Sequence, residues 1–348
     1  MRTRVTVAAD PARDARPFVV PRWLASAHLQ SLGAALPLWA PPRSWHVART
    51  ESLRIPLPSG GALRAHAWWQ EAPAPAAVVI HGVAGSSASR YVVRAAVSLY
   101  RAGWHAIRLD LRGAGDSAPD APALYHAGLT EDPRVAVEYV AARAQVQGVA
   151  IVGFSLGGHV ALRLVGELGD EHPAALRAVV AISAPVDLVA VTRAFERLRS
   201  LPYHLYVLRN LVRQARRFAF AHPDRARFDT RALGRLPTIR AYDTAVIAPM
   251  HGFASAEDYY ARASAGPLLA RIRVPTLLVH AEDDPLVPPE TVRPWLADAP
   301  DALHQAWTAR GGHVGWFAGL DQSSWVDTWA MTQARAFLSG RPVDAHRP

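Results

Sequence analysis

The chain has 348 residues, half of them hydrophobic and 19% charged, which is enough apolar material for a large core and excludes a disordered polyelectrolyte. It contains no Cys, which excludes disulfides, thiolate zinc sites and a cysteine nucleophile. The net charge of +9 comes entirely from Arg, with no Lys anywhere. Together with abundant Ala, that pattern fits GC-rich codon usage better than a polyanion partner, and no basic-aromatic module for nucleic acid accompanies it.

Taken in order, residues 1–50 are rich in Pro and Trp (Trp23, Trp39, Trp45) and read as an irregular arm packed on the body. Residues 1–17 lack the apolar stretch of a secretory signal, and no apolar run nears the ~20 residues that span a bilayer. A cytoplasmic location is expected. Ala62–Trp69 alternates as a strand, and Ala76–Ile80 is a buried strand ending at His81-Gly82. Tyr91–Arg101 reads as a helix stopped by Gly103, and His105–Leu109 as the next strand. Asp132–Arg143 is a helix, Val149–Val152 a strand, and Gly158–Val165 a helix again. Val179–Ser183, Thr276–His280 and His304–Trp307 complete the strands.

Strands separated by helices of this length build parallel βαβ units. The expected fold is α/β: a mostly parallel open sheet flanked by helices, with sites at the carboxyl ends of its strands. From about Asp187 to Gly266 the rhythm breaks into helical stretches rich in Arg, Tyr and Phe. The expected plan is an arm (1–50), a core (51–186), an inserted helical cap (187–266), the rest of the core (267–340) and a flexible tail (341–348).

Between strand and helix lies Gly153-Phe154-Ser155-Leu156-Gly157. This G-x-S-x-G pattern places a serine on a strained strand-to-helix turn, with its hydroxyl above the sheet. The flanking glycines let neighbouring backbone close in. A serine hydroxyl needs a base to take its proton and an acid to orient that base, in chain order Ser, acid, His. After Ser155, the strand Thr276–His280 delivers Ala281-Glu282-Asp283-Asp284-Pro285 to the rim. Asp284, four residues before Pro288, is the expected acid, with Asp283 as the alternative. Gly311-Gly312-His313-Val314-Gly315 supplies the base, its glycines letting the loop reach back. The expected oxyanion donors are the amides of Leu156 and of Val83, the latter in the loop His81-Gly82-Val83-Ala84-Gly85-Ser86. His81 and Gly82 are expected to support that loop. The His residues show no metal-ligand spacing, so no metal is expected.

In the cap, Phe195, Tyr203, Tyr206 and Phe218 are expected to line an acyl pocket. Arg209, Arg213, Arg216 and Arg217 recur at helical spacing, with Leu205, Leu208 and Val212 on another face. They read as a solvated amphipathic face, a peripheral membrane contact being the minority reading.

These motifs together resemble the YheT-like branch of the α/β-hydrolases, related to the mammalian ABHD1–3 hydrolases, over nearly the whole chain. The resemblance rests on His28-Leu29-Gln30-Ser31, His81-Gly82-x-x-Gly85-Ser86-Ser87, Arg112-Gly113, Tyr125-His126-x-Gly128 and Gly153-x-Ser155-Leu156-Gly157-Gly158. It continues through Ser183-Ala184-Pro185, His251-Gly252-Phe253, Asp258-Tyr259-Tyr260, Asp283-Asp284-Pro285 and Gly311-Gly312-His313-Val314-Gly315. The chain departs from the family pattern at Ala114, Gly115, Asp116, Ala127 and His159, the last standing where the family favours Asn. The resemblance implies a cofactor-free serine hydrolase acting on carboxylic esters of acyl or lipid type through Ser155, Asp284 and His313. Thioester cleavage or acyl transfer by the same residues, and a non-catalytic binding protein on the same fold, are the alternatives.

Overall fold

The computed structural model describes residues 18–35, 47–197, 200–319 and 326–341. Trp39 and Trp45 of the arm, and the tail beyond residue 341, lie outside them. Eight strands form one sheet in the order β1-β2-β4-β3-β5-β6-β7-β8. They are β1 (Glu51–Pro56), β2 (Ala62–Trp68), β3 (Ala74–Ile80), β4 (His105–Asp110), β5 (Val146–Phe154), β6 (Leu176–Ile182), β7 (Thr276–Ala281) and β8 (Leu303–Thr308). From β4 to β8 all neighbours run parallel, whereas β1–β2 and β2–β4 are antiparallel. The sequence reading misses β1. It is a short edge strand with Glu51, Arg54 and Pro56 exposed, the composition that keeps an open sheet edge from pairing further.

The central strands are apolar on both faces. Val78, Ile80, Ile107, Leu109 and Ile151 pack into one layer, beneath helices Glu131–Ala141 and Leu156–Leu168. Ala77, Val79, Ala150 and Val152 alternate into the other, with residues of helices Arg90–Arg101 and Trp329–Leu338. This is the pattern of strands buried on both sides. The chain leaves β3 for β4 on one side and later enters β5 on the other, so the sheet order reverses between β3 and β5. At such a switch point the loops at the strand ends part and leave a crevice. His81 follows β3 there, and Ser155 follows β5.

Between β6 and β7 the described residues form helices and turns and no strand. Helix Leu201–Ala221 buries Val207, Leu208, Leu211, Val212, Ala215 and Phe218, a stripe at helical spacing, while its arginines face outward. Leu205 falls off that stripe and is exposed. The arm is not irregular throughout. Arg22–Leu24 makes a 3₁₀ turn and Ala27–Ala35 a helix that bears on the loop holding His313.

Candidate active site

Ser155 sits between β5 and its helix at φ 50°, ψ −118°, a strained conformation for a residue with a side chain. Tight packing enforces it. A Cβ on Gly153 would stand 2.4 Å from Gly157 O, and one on Gly157 would stand 2.5 Å from Ile80 O. The Ser155 amide is tied to Ile182 O at 2.8 Å. The other non-glycine residues at positive φ among those described are Ala84, Ser183, Val314 and Trp316. All belong to loops around the same crevice, so backbone strain concentrates where β3, β5 and β6 end and the His313 loop arrives.

The structure brings His313 to Asp284. Nδ1 lies 2.8 Å from Oδ2 and 3.2 Å from Oδ1. Asp284 is buried, and its Oδ1 also accepts the amides of Leu286 and Val287 at 2.9 Å each. Burial pushes this carboxyl up, but the His313 charge and hydrogen bond, with His280 and the Val287 amide, outweigh it and hold it below its ordinary value. Asp283 faces elsewhere and accepts the Gly312 amide at 2.8 Å. Burial raises its pKa despite that bond. Of the two acids the sequence leaves open, Asp284 is the one beside His313.

The loop carrying His313 is seated on the arm. A Cβ on Gly312 would lie 2.5 Å from Ala27 O, and one on Gly315 would lie 2.8 Å from Gln30 O. Ser31 Oγ accepts the His313 amide at 2.8 Å. The buried Gln30 side chain accepts the Phe317 amide at 2.7 Å and donates to Phe317 O at 3.0 Å and Leu24 O at 3.1 Å. Val314 donates its amide to Ser183 Oγ at 3.1 Å. Site reasoning from sequence passes over Gln30, Ser31 and Ser183, although His28-Leu29-Gln30-Ser31 is among the motifs of the resemblance.

The loop after β3 is held as tightly. A Cβ on Gly82 would stand 3.1 Å from Ser155 Cβ. The Tyr91 hydroxyl accepts the Gly82 amide at 2.8 Å, and the Tyr125 hydroxyl accepts the Ala84 amide at 2.7 Å. The amides flanking Val83 are therefore engaged, and Val83 itself lines the crevice. Gln214 from the long insert helix accepts Tyr125 Oη–H and donates to Gly85 O, both at 3.3 Å. His81 lies under the loop, donating Nδ1–H to Gly82 O at 2.8 Å and accepting the Leu111 amide at 3.3 Å. Burial lowers its pKa, so it stays neutral and supports the loop.

These pieces surround a cavity of about 960 Å³ lined by Gly82, Val83, Ser155, Leu156 and His313. Its roof is mainly apolar, from Leu188, Val191, Phe195 and Val207 of the insert, with Tyr203 and Tyr206 beside the arm's Leu32. Phe218 does not line it. That ring is fully buried in the core face of the insert helix, against the sequence expectation. Away from the cavity, His66, Asp110 and Asp116 lie close enough to suggest a cation. Asp110, however, already accepts Ser87 N, Ser87 Oγ and Asp116 N, which makes it a loop brace. His159 is fully buried, with Nδ1 at 2.6 Å from Pro185 O and Nε2 at 2.8 Å from Ala263 O. Burial lowers its pKa to about 4 against the pull of both carbonyls, and a neutral ring, with one N–H, donates to only one of them at a time.

The α/β hydrolase fold family model matches residues 75–308. The chain is 32% identical over 294 residues to the putative esterase YheT of Escherichia coli, covering 81% of this chain and 85% of that one. It is 30% identical over 261 residues to a monoacylglycerol lipase of Saccharomyces cerevisiae, covering 72% of this chain and 57% of the yeast protein. In three dimensions it resembles the Pyrococcus furiosus esterase Pf2001 with a TM-score of 0.58 at 16% identity, covering 86% and 93% of the two chains. A family match across two thirds of the chain, on this sheet and this crevice, places the protein in the α/β-hydrolase family, in its YheT-like, esterase- and lipase-related branch.

Proposed function

We propose that the protein is a serine hydrolase that cleaves carboxylic esters through Ser155, His313 and Asp284. The observation that carries this reading is the buried Asp284–His313 pair at a cavity lined by His313 and Ser155 together. Ser155 Oγ attacks the ester carbonyl carbon as His313 takes its proton. Asp284 orients the ring and stabilises the imidazolium. The resulting oxyanion is met by the Val83 and Leu156 amides, each such donor being worth ~10²–10³ in rate. Collapse breaks the bond to the alcohol, which leaves with the proton from His313. Water then repeats the sequence on the acyl-enzyme and restores Ser155. The relatives' names point the same way: an esterase, a monoacylglycerol lipase and, at 23% identity, the human phospholipase ABHD3.

The apolar roof from the insert, which we take as a cap over 187–266, suits an acyl chain. The test is labelling by a fluorophosphonate, with turnover of p-nitrophenyl esters of graded length and of matched thioesters. Labelling and turnover should both vanish in Ser155→Ala. Labelling that persists in that variant would place the nucleophile elsewhere.

A further inference from the structure

The cavity beside Ser155 carries a polar device that ester cleavage does not use. Two carboxylates line it, Glu196 and Asp243. Glu196 is occupied by the Arg240 guanidinium at 3.0 and 3.1 Å. Asp243 is 7% exposed, accepts the Tyr260 hydroxyl on Oδ2 at 2.6 Å, and has Oδ1 left for the cavity. The Thr192 side chain stands in the same cavity wall as Tyr260 and Asp243. All three residues line the cavity. Asp243 therefore keeps acceptor capacity facing a mainly apolar chamber, where a hydrogen bond gains strength from the low local dielectric.

The backbone is unusual at the same place. Asp243–Ile247 forms a single π turn between the helical turns Ile239–Tyr242 and Ala248–His251. Such insertions are uncommon, break the regular side-chain register and recur at functional sites. Tyr242, just before the turn, goes into the core, whereas Asp243 reaches the cavity.

We propose that Asp243, Tyr260 and Thr192 form a hydroxyl-recognition subsite, which takes a substrate bearing an alcohol group remote from the ester bond that is cut. The proposal rests on the reading of the cavity as an ester hydrolase site, and it narrows the substrate to hydroxylated esters. Burial pushes the Asp243 carboxyl up to about 7, so both of its forms are populated near neutrality. A hydroxyl matches either form, donating to the carboxylate or accepting from the acid. An ammonium group would match only the ion. The hydroxyl can stand on the alcohol side or the acyl side of the ester, and matched pairs separate the two.

The experiment measures binding by calorimetry to the full chain carrying Ser155→Ala, so that no turnover is needed. The alcohol-side pair is 2,3-dihydroxypropyl hexanoate against propyl hexanoate. The acyl-side pair is methyl 6-hydroxyhexanoate against methyl hexanoate, and choline hexanoate provides the cationic arm. One hydroxylated member should bind ~10- to 100-fold tighter than its partner, the range of a hydrogen bond to a charged group. That preference should shrink to within about twofold when Asp243→Leu is added and survive in part with Asp243→Asn. Equal affinities within both pairs, tighter binding of the choline ester than of either hydroxylated one, or a preference that outlasts Asp243→Leu would each overturn the proposal. The first two outcomes need no change at Asp243, so misfolding of a variant cannot shield it. A failure of fluorophosphonate labelling would instead remove the catalytic reading while leaving this binding measurement intact.

Discussion

At the scale of single residues, the choice between two adjacent carboxylates carries the most chemical weight. Asp284 is buried against the imidazole and is held below its ordinary pKa, so it remains ionised through the acid range in which the enzyme would lose activity. The acid limb of the rate profile should then not come from protonation of Asp284. Asp283 is raised by burial and braces the Gly312 amide. Asp284→Asn should lower kcat by ~10³–10⁴, because an amide cannot hold the ring in the same tautomer or offset its charge. Asp283→Asn keeps an oxygen for Gly312 and should lie within about tenfold of the parent. Steady-state kinetics on one p-nitrophenyl ester would check both, and equal losses would mean that the loop, not the pairing, is what the acids serve.

At the scale of elements, the arm helix and the His313 loop are one unit. Gln30 makes three hydrogen bonds from a fully buried position, two to the backbone of Phe317 and one to that of Leu24. Gln30→Ala removes all three bonds and should cost ~2–3 kcal/mol of stability. It should also lower kcat more than it raises KM, since the loop that positions His313 loses its seat. Urea denaturation and kinetics together test this, and a stability loss with kcat unchanged would show that the helix only packs. The same logic explains why glycine stands at 312 and 315. Both positions meet the arm backbone at distances that no Cβ could occupy.

At the scale of the molecule, the core and the insert meet at two half-buried histidines. His126 and His251 lie with ring centroids 4.4 Å apart, and His251 donates to Leu124 O at 2.8 Å. Burial, with neighbouring positive charge, lowers His126 to about 2 and His251 to about 4. Both folded values lie below the ordinary imidazole value of ~6.5, so the unfolded chain takes up protons first as pH falls. Stability should be complete above about pH 6.5 and should fall at ~1.4 kcal/mol per pH unit for each ring until the folded value is reached. Asp243, raised to about 7, acts in the opposite sense and offsets about one ring's slope from about pH 7 down to about pH 4, leaving the decline to the second ring, mainly below about pH 6.5. Urea midpoints at pH 7.5, 6 and 5 should therefore decline. A midpoint that holds steady would mean that these rings protonate without unfolding the junction.

The elements legible in the chain were those whose cause is local. Period-two and all-apolar runs mark β2 to β8, and Gly153-x-Ser155-x-Gly157 marks its turn because steric closeness there demands glycine whatever the rest of the chain does. The order Ser155, acid cluster, His313 narrowed the site to a few residues before any contact was known. β1 is harder to read because its apolar signature is only Leu53 and Ile55, set among exposed Glu, Ser, Arg and Pro. Whether Asp283 or Asp284 meets the imidazole, that Gln30 and Ser31 from some 280 residues away seat its loop, that Phe218 fills core rather than cavity, and that Asp243 enters the chamber were settled only in three dimensions. Each depends on distances between segments remote in sequence, and a linear pattern of residue types contains no such distances.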